Sequence, residues 1–188
     1  SFVIVYVQWR KTRKQNKIIE EQHRQLDENH KEITDSISYA KNVQDAMMTS
    51  TVYLKDVLPE SFIFFKPKDV VSGDYYWVYK TPYNNIYFTV ADCTGHGVPG
   101  AFMSMIGTSL LNENIIEKKV NNPGEILDNM RDKIIASLNN KDSKKETRDG
   151  MDVALCKINF KKLTLQYAGA NNPLVHVRNG EILSLIHI

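Results

Sequence analysis

The chain is poor in cysteine, with only Cys93 and Cys156 among 188 residues. A secreted domain held together by disulfides uses many more cysteines, and a structural zinc site needs several cysteine or histidine ligands at close spacing. The two cysteines therefore indicate a reducing compartment. Cys156 lies in an apolar run, residues 153–156, and is predicted to be a small core residue.

A large excess of one charge is also missing. The chain has 24 Lys and Arg against 22 Asp and Glu, which leaves a net charge of +2. This balance gives no indication of a nucleic-acid partner or of strong binding to a membrane surface. No internal repeat or low-complexity segment is present, so one domain with an extension is expected.

No apolar run is long enough to cross a membrane. The run at residues 1–7 is far shorter than the roughly 20 residues that a bilayer requires. A basic cluster follows it directly, which is typical of the cytoplasmic flank of a membrane helix: Arg10, Lys11, Arg13, Lys14 and Lys17. Residues 1–9 are therefore predicted to be the end of a transmembrane helix that tethers a cytoplasmic domain to the inner membrane. The alternative is a strand of an upstream domain.

Proline and glycine are absent from residues 12–48, where charges of both signs alternate. Apolar residues recur there every seven positions, at Ile19, Leu26, Ile33, Ala40 and Met47. The intervening d-type positions are mostly polar, so residues 10–50 are predicted to form a helical, weakly coiled-coil linker. Through this helix we expect a homodimer whose packing regulates the following domain, although a passive spacer is an equal alternative.

A glycine-rich turn follows Asp92, at the end of the apolar run formed by residues 86–91. Residues 95–100 match the spacing G-x-G-x-x-G, and Glu117 stands about 20 residues further on, as in dinucleotide-binding folds. Asp92 would repel a pyrophosphate unless a cation lay between them. A second helix signal after Pro123, in place of a parallel strand, also argues against that interpretation.

A second acidic residue, Asp74, lies at another glycine-marked reversal, in residues 72–77. Two carboxylates at two such turns favour a divalent-cation site, because hard cations prefer carboxylate, carbonyl and water oxygens. The simpler alternative is that Asp92 only caps the helix that begins near Pro99.

Four ordered motifs carry a resemblance to a known family: residues 67–77, 90–104, 149–156 and 167–174. Together they resemble the metal-dependent protein phosphatases (PPM), in particular the bacterial SpoIIE type, over roughly residues 55–182. The second half of the helical linker, residues 33–46, also resembles the segment that precedes such domains. The resemblance implies a phosphatase domain at residues 55–188 and a sandwich of antiparallel sheets between helices.

The resemblance also implies the chemistry. Two Mn²⁺ or Mg²⁺ ions would activate a water that attacks phosphoserine or phosphothreonine. Asp92 would bridge the ions, Asp74 would bind through one of them, and the backbone carbonyl of Cys93 would be a ligand. Lys68 stands where eukaryotic relatives have a phosphate-binding arginine, and a solvated surface lysine is an equal alternative. His96 is a second candidate for orienting phosphate or water, and a purely structural hydrogen-bonding role is at least an equal alternative.

Two further family acids have no counterpart before Ile188, so the domain is expected to be incomplete at its C-terminus. Residues 183–188 do not resemble the family. Asp149 and Asp152 flank a turn, and one of them is a candidate to reach the metals, although a turn-forming role is the simpler expectation.

The remaining patterns predict an α+β fold with a mainly antiparallel sheet and helices at residues 100–119 and 123–139. The predicted strands lie at residues 61–65, 75–79, 86–91, 153–160, 163–168 and 174–177. Asn179 and Gly180 suit a type I′ hairpin turn, and residues 139–148 are predicted to be a loop.

The leading interpretation is a bacterial serine/threonine phosphoprotein phosphatase domain regulated by its N-terminal helix. Its substrate by resemblance is a phosphorylated protein such as an anti-sigma-factor antagonist. The alternative is a non-catalytic, phosphatase-like signalling module.

Overall fold

The computed structural model describes residues 2–138 and 149–186, with the side chains of residues 184–186 excepted. The chain divides into two compact units, Ser1–Ala40 and Lys41–Ile188. Its helices are α1 (Phe2–Met47), α2 (Thr51–Val57), α3 (Gly97–Leu111) and α4 (Pro123–Leu138), with a π-helix at Asn112–Glu117 after α3. Its strands are β1 (Tyr75–Lys80), β2 (Asn85–Cys93), β3 (Met151–Asn159), β4 (Thr164–Ala170), β5 (Leu174–Arg178) and β6 (Glu181–Ile186).

The first unit contains α1 up to Ala40, and the last turns of this helix belong to the second unit. The side chains of α1 are exposed up to residue 36. Ion pairs within the helix support it, because Arg24 binds both Glu21 and Glu28 one turn away. Ile19, Leu26 and Ile33 are exposed along it. The predicted long N-terminal helix is confirmed, whereas its self-association stays a prediction. Among the described helices, none has a stretch sufficiently long and apolar to cross a membrane.

The second unit is built on a four-stranded sheet in the order β1-β2-β3-β4. Every neighbouring pair is antiparallel, with Tyr75 opposite Ala91 and Ala91 opposite Val153. The predicted α+β, antiparallel class is therefore confirmed. The same topology argues against the dinucleotide-binding alternative, since β3, the first strand after α3 among the described residues, pairs antiparallel with β2.

A separate hairpin is formed by β5 and β6, the other two strands of the described residues. Asn179 and Gly180 have positive φ angles of 54° and 81°, as both central residues of a type I′ turn require. The predicted hairpin is thus confirmed.

Helices α3 and α4 contact the sheet, α3 at β2 and α4 at β3 and β4. Between them lies an apolar core whose most deeply buried members include Leu111, Ile126, Met130 and Leu155. Burying such side chains stabilises the fold by about 1.5–3 kcal/mol each. This packing fixes the end of β2 relative to the start of α3. The two acidic turns, which carry Asp74 and Asp92, lie beside that junction.

Three local predictions need correction. Residues 61–65 form no strand, and Phe62 and Phe64 are 89% and 87% exposed. The first predicted helix begins earlier, at Gly97, and its last turn is a π-helix. The short helix α2, capped by the Ser50 side chain, was not predicted. The loop predicted at residues 139–148 lies outside the described residues.

Candidate metal centre

The antiparallel register brings the two predicted metal acids together. Asp74 directly precedes Tyr75, whose partner is Ala91, so Asp74 is level with Asp92 across β1 and β2. Burial raises the pKa of Asp74, and the hydrogen bond and like charge of the Asp92 carboxylate raise it further. Two carboxyl groups in contact need a proton or a cation between them.

Three glycines allow the two acidic turns to touch through their backbones. A β-carbon on Gly100 would lie 2.6 Å from the Gly95 carbonyl oxygen and 2.9 Å from the Gly73 α-carbon. A β-carbon on Gly73 would lie 2.8 Å from that same oxygen and 3.2 Å from the Cys93 carbonyl oxygen. We call Gly73, Gly95 and Gly100 the glycine clasp. It brings the Cys93 carbonyl beside the turn that carries Asp74.

The donors gathered here are two carboxylates and a backbone carbonyl, which are the oxygen ligands that Mn²⁺ and Mg²⁺ prefer. In donor chemistry, Asp74, Asp92 and Cys93 therefore fit a hard divalent cation. Within residues 2–138 and 149–186, no group of three or more His, Cys, Asp or Glu side chains is arranged to hold a metal ion. Any further ligands at this position would have to be water, substrate oxygens or other parts of the protein.

The pocket beside the two acids has a volume of about 230 Å³ and is also lined by Lys68, Asp69 and His96. The structure thus brings all of the predicted side chains of the site to one pocket, while their chemical roles stay predictions. Asp69, which the sequence did not single out, lies 2.9 Å from Nδ1 of His96 through its Oδ2 atom. This contact orients the imidazole at the pocket rim.

The helix-capping alternative for Asp92 is wrong. Helix α3 begins at Gly97, and its N-cap residue is His96, which makes no side-chain cap hydrogen bond. Asp92 lies within β2 instead.

Asp152 lies directly opposite Asp92 in the register of β2 and β3. Side chains of directly opposed residues project from the same face of a sheet, so Asp152 is a lateral neighbour of the acid pair. Its Oδ1 atom accepts a hydrogen bond of 2.8 Å from the Asn171 amide, and its carbonyl accepts one of 3.0 Å from Asn172. Asp152 thus joins the turn that follows β4 to the start of β3, beside Asp92 on β2. Asp149 precedes β3.

A buried side chain from the end of α1 holds the Asp74 turn. Gln44 is 4% exposed, and its amide nitrogen donates to the Ser72 carbonyl at 2.6 Å and to Ser104 Oγ at 2.8 Å. Its amide oxygen accepts from the Ser72 backbone nitrogen at 3.0 Å. Ser72 is two residues before Asp74. Sequence reasoning missed Gln44, because glutamine is common on exposed helical faces and no local pattern distinguishes it.

Comparison with known proteins gives two findings. Residues 82–186 match the family described as Stage II sporulation protein E (SpoIIE), a range that contains Asp92 but begins after Asp74. The solved SiaA-PP2C domain of Pseudomonas aeruginosa is similar to the chain, with 32% identity and a TM-score of 0.65. The match covers 77% of this chain and 56% of that structure, so the chain spans little more than half the length of that relative. The search of curated proteins found no match.

Proposed function

The chain belongs to the SpoIIE-type protein phosphatases, and on that premise we propose that it is a metal-dependent phosphatase of phosphoserine and phosphothreonine in proteins. The observation that carries the proposal is that Asp74 and Asp92, level with each other across β1 and β2, line one pocket, while the Cys93 carbonyl lies beside Gly73. Bound Mn²⁺ or Mg²⁺, two ions by family resemblance, would lower the pKa of water and neutralise charge on the phosphate.

The side chains around the pocket have distinct roles in this proposal. Asp74, Asp92 and the Cys93 carbonyl would hold the cation, which would supply a Lewis acid for the bound water. Lys68 attracts the phosphate as a point charge, because an ammonium group lacks the two-pronged geometry of arginine. His96, oriented by Asp69, faces the phosphate or the attacking water.

The test measures Mn²⁺-dependent phosphate release from a phosphoserine protein together with the shift in melting temperature that Mn²⁺ produces. A ligand that binds the folded state at about 100 times its Kd stabilises it by about 2.7 kcal/mol, so binding is visible even without turnover. Asp92→Asn should abolish both signals. The matched control, Asp132→Asn, changes an exposed acid of α4 and should preserve both. Activity that survives Asp92→Asn would contradict the metal mechanism.

A non-catalytic signalling module is the second candidate function. One observation favours it: in the described part of the chain, no three His, Cys, Asp or Glu side chains are grouped so that they could hold a metal ion. Such a module would bind a phosphoprotein in the presence of Mn²⁺ without releasing phosphate. The same assay therefore separates the two functions.

Regulation by the N-terminal helix is also proposed, and the Gln44 contacts support it. They connect the last turns of α1, through both backbone groups of Ser72, to the segment that carries Asp74. A rotation of these turns would withdraw Gln44 and release that segment. Gln44→Ala should therefore weaken Mn²⁺ binding, whereas Asn42→Ala, an exposed change on the same turns, should not.

The partners and the location are proposals of the same kind. The substrate is a phosphorylated protein, with an anti-sigma-factor antagonist as the family expectation. The exposed Ile19, Leu26 and Ile33 support a homodimer through α1. Sedimentation equilibrium of Leu26→Ser against the unchanged chain tests the dimer.

Residues 1–9 are proposed to tether the domain to a membrane, on the basis of their apolar character and the basic cluster that follows.

A further inference from the structure

The N-terminal part of α1 carries aromatic and basic side chains side by side. Tyr6, Trp9, Arg10, Arg13, Lys14 and Lys17 line a shallow groove of about 490 Å³, and we call these six residues the collar. Each of them lies one turn or less from the next along the same helix, so the groove is formed by α1 alone.

Within the collar, two arginines are held by aromatic rings. The Arg10 guanidinium carbon is 5.7 Å from the Tyr6 ring centroid, and that of Arg13 is 5.1 Å from the Trp9 ring. The two rings stack on each other, with centroids 6.2 Å apart and an angle of 27° between their planes. Cation–π contacts of this kind order a guanidinium without neutralising it, so both charges stay available to an anion.

The collar differs in this respect from the rest of α1. No acidic residue precedes Glu20 in the sequence, and among the described ion pairs none involves a collar residue. Arg24, by contrast, is bound by Glu21 and Glu28, and Lys41 by Asp45. The near-zero charge of the whole chain therefore conceals a local excess of positive charge.

An apolar end adjoins the collar. Residues 2–7 are all exposed, from Phe2 at 95% to Tyr6 at 54%, and they are apolar around the whole circumference of the helix. A helix that is apolar on every side belongs in a core or a membrane. Residues 2–9 thus place about 12 Å of mainly apolar helix next to the collar.

We propose that the collar binds the phosphate groups of an anionic lipid bilayer while residues 2–7 enter its hydrocarbon layer. This inference rests on the proposed membrane tether and is independent of phosphatase activity. The axial order of apolar, aromatic and basic side chains follows the order of hydrocarbon, interface and headgroups in a leaflet. A nucleic acid would satisfy the arginines but would leave the apolar end in water.

The test is co-sedimentation of the purified chain with phosphatidylcholine vesicles and with vesicles that contain about 30% phosphatidylglycerol. We expect binding to the anionic vesicles to be at least about tenfold tighter and to weaken with added salt. Each arginine near an anionic surface contributes about fivefold, so Arg10→Ala/Arg13→Ala should weaken this binding by about 25-fold. The substitution of both arginines by lysine should retain most of the binding.

The matched control is Arg24→Ala, which removes the same charge from the same helix but from a guanidinium that two glutamates already bind. It should leave vesicle binding unchanged. All of these positions are exposed, and an unchanged helical circular dichroism spectrum confirms folding. Equal losses in Arg24→Ala and in the double variant would overturn the proposal.

The remaining outcomes separate the collar from the tether. Equal binding to both vesicle types overturns headgroup recognition but leaves the tether standing, whereas binding to neither overturns both. Displacement by a duplex oligonucleotide at concentrations where inorganic phosphate has no effect would identify a nucleic-acid surface and also overturn the proposal. None of these results bears on Mn²⁺ binding, which tests the phosphatase separately.

Discussion

The exposed polar part of α1 and its C-terminal end have similar polar sequences but opposite surroundings. Up to residue 36 nearly every side chain is exposed, and its charges meet water, aromatic rings or glutamates one turn away. Near the C-terminal end, Gln44 is enclosed and makes three hydrogen bonds to other segments. Exposed polar contacts contribute little because water replaces them, whereas a buried polar group left without a partner costs its full desolvation. The same helix therefore tolerates change at one end and resists it at the other.

The largest expected contrast between exposed and buried positions is in thiol reactivity. Cys93 and Cys156 are buried, and burial raises the pKa of Cys156 to about 11. At about pH 8 this leaves a thiolate fraction roughly a hundredfold below that of a free cysteine, before steric protection is counted. Iodoacetamide should therefore label the native chain only after unfolding. Ser38→Cys, on the exposed part of α1, supplies the comparison and should react at once. Equal rates would mean that the sheet is open to solvent.

Gly100→Ala should have the largest effect on stability. Its new β-carbon would lie within 3 Å of backbone atoms of Gly95 and Gly73, which cannot rotate away, so we expect a loss of about 3 kcal/mol. Gly150→Ala is the matched control, since nothing lies within 4 Å of a β-carbon there. Urea denaturation measures both variants. A loss in Gly100→Ala no greater than in the control would disprove the close contact of the glycine clasp.

Gln44→Ala should destabilise the chain by about 2 kcal/mol, because it leaves the buried Ser72 N–H without its partner and leaves the Ser72 carbonyl with only the hydrogen bond from Ser104 Oγ. Gln25→Ala removes the same side chain from an exposed position of α1 and should change stability by less than about 0.5 kcal/mol. The difference between their denaturation midpoints measures how much more the buried glutamine side chain contributes to stability than the exposed one. Equal midpoints would show that the buried end of the helix contributes no more to stability than its exposed part.

Arg24→Ala should have the smallest effect. Its two ion pairs with Glu21 and Glu28 are exposed and strongly screened by solvent, so no measurable shift in the urea midpoint is expected at physiological salt. A shift that approaches that of Gln44→Ala would show that the exposed part of α1 is held by more than its own helix.

Sequence patterns were sufficient for those parts of the fold that local rules determine. Residues 75–80 and 85–93 are rich in β-branched and aromatic residues and form paired strands. Asn179-Gly180 favours a type I′ turn, which both residues adopt through positive φ. Residues 61–65 have the same β-forming composition but form no strand, because a strand also needs a neighbour to receive its hydrogen bonds. Composition alone cannot supply that neighbour.

Local sequence patterns likewise predicted only part of the candidate site. Asp74 and Asp92 stand at glycine turns, so the sequence itself marks them, and the antiparallel register then sets them level. Gln44, Asp69 and the position of Asp152 opposite Asp92 depend on contacts between distant segments. No local signal encodes such contacts. The predicted segments 1–9, 10–50 and 55–188 stay predictions, as do the roles of the site residues.

The glycine clasp has a mechanical consequence. Side chains absorb small displacements by changing rotamer, but two backbones in direct contact have no rotamers to change. When the chain around Gly73 moves by a few tenths of an ångström, the chain around Gly95 and Gly100 has to move with it. Asp74 and the Cys93 carbonyl thus behave as parts of one stiff body, so the spacing of these oxygen donors is kept when the chain around them moves. A small cation is far more sensitive to that spacing than a protein surface is.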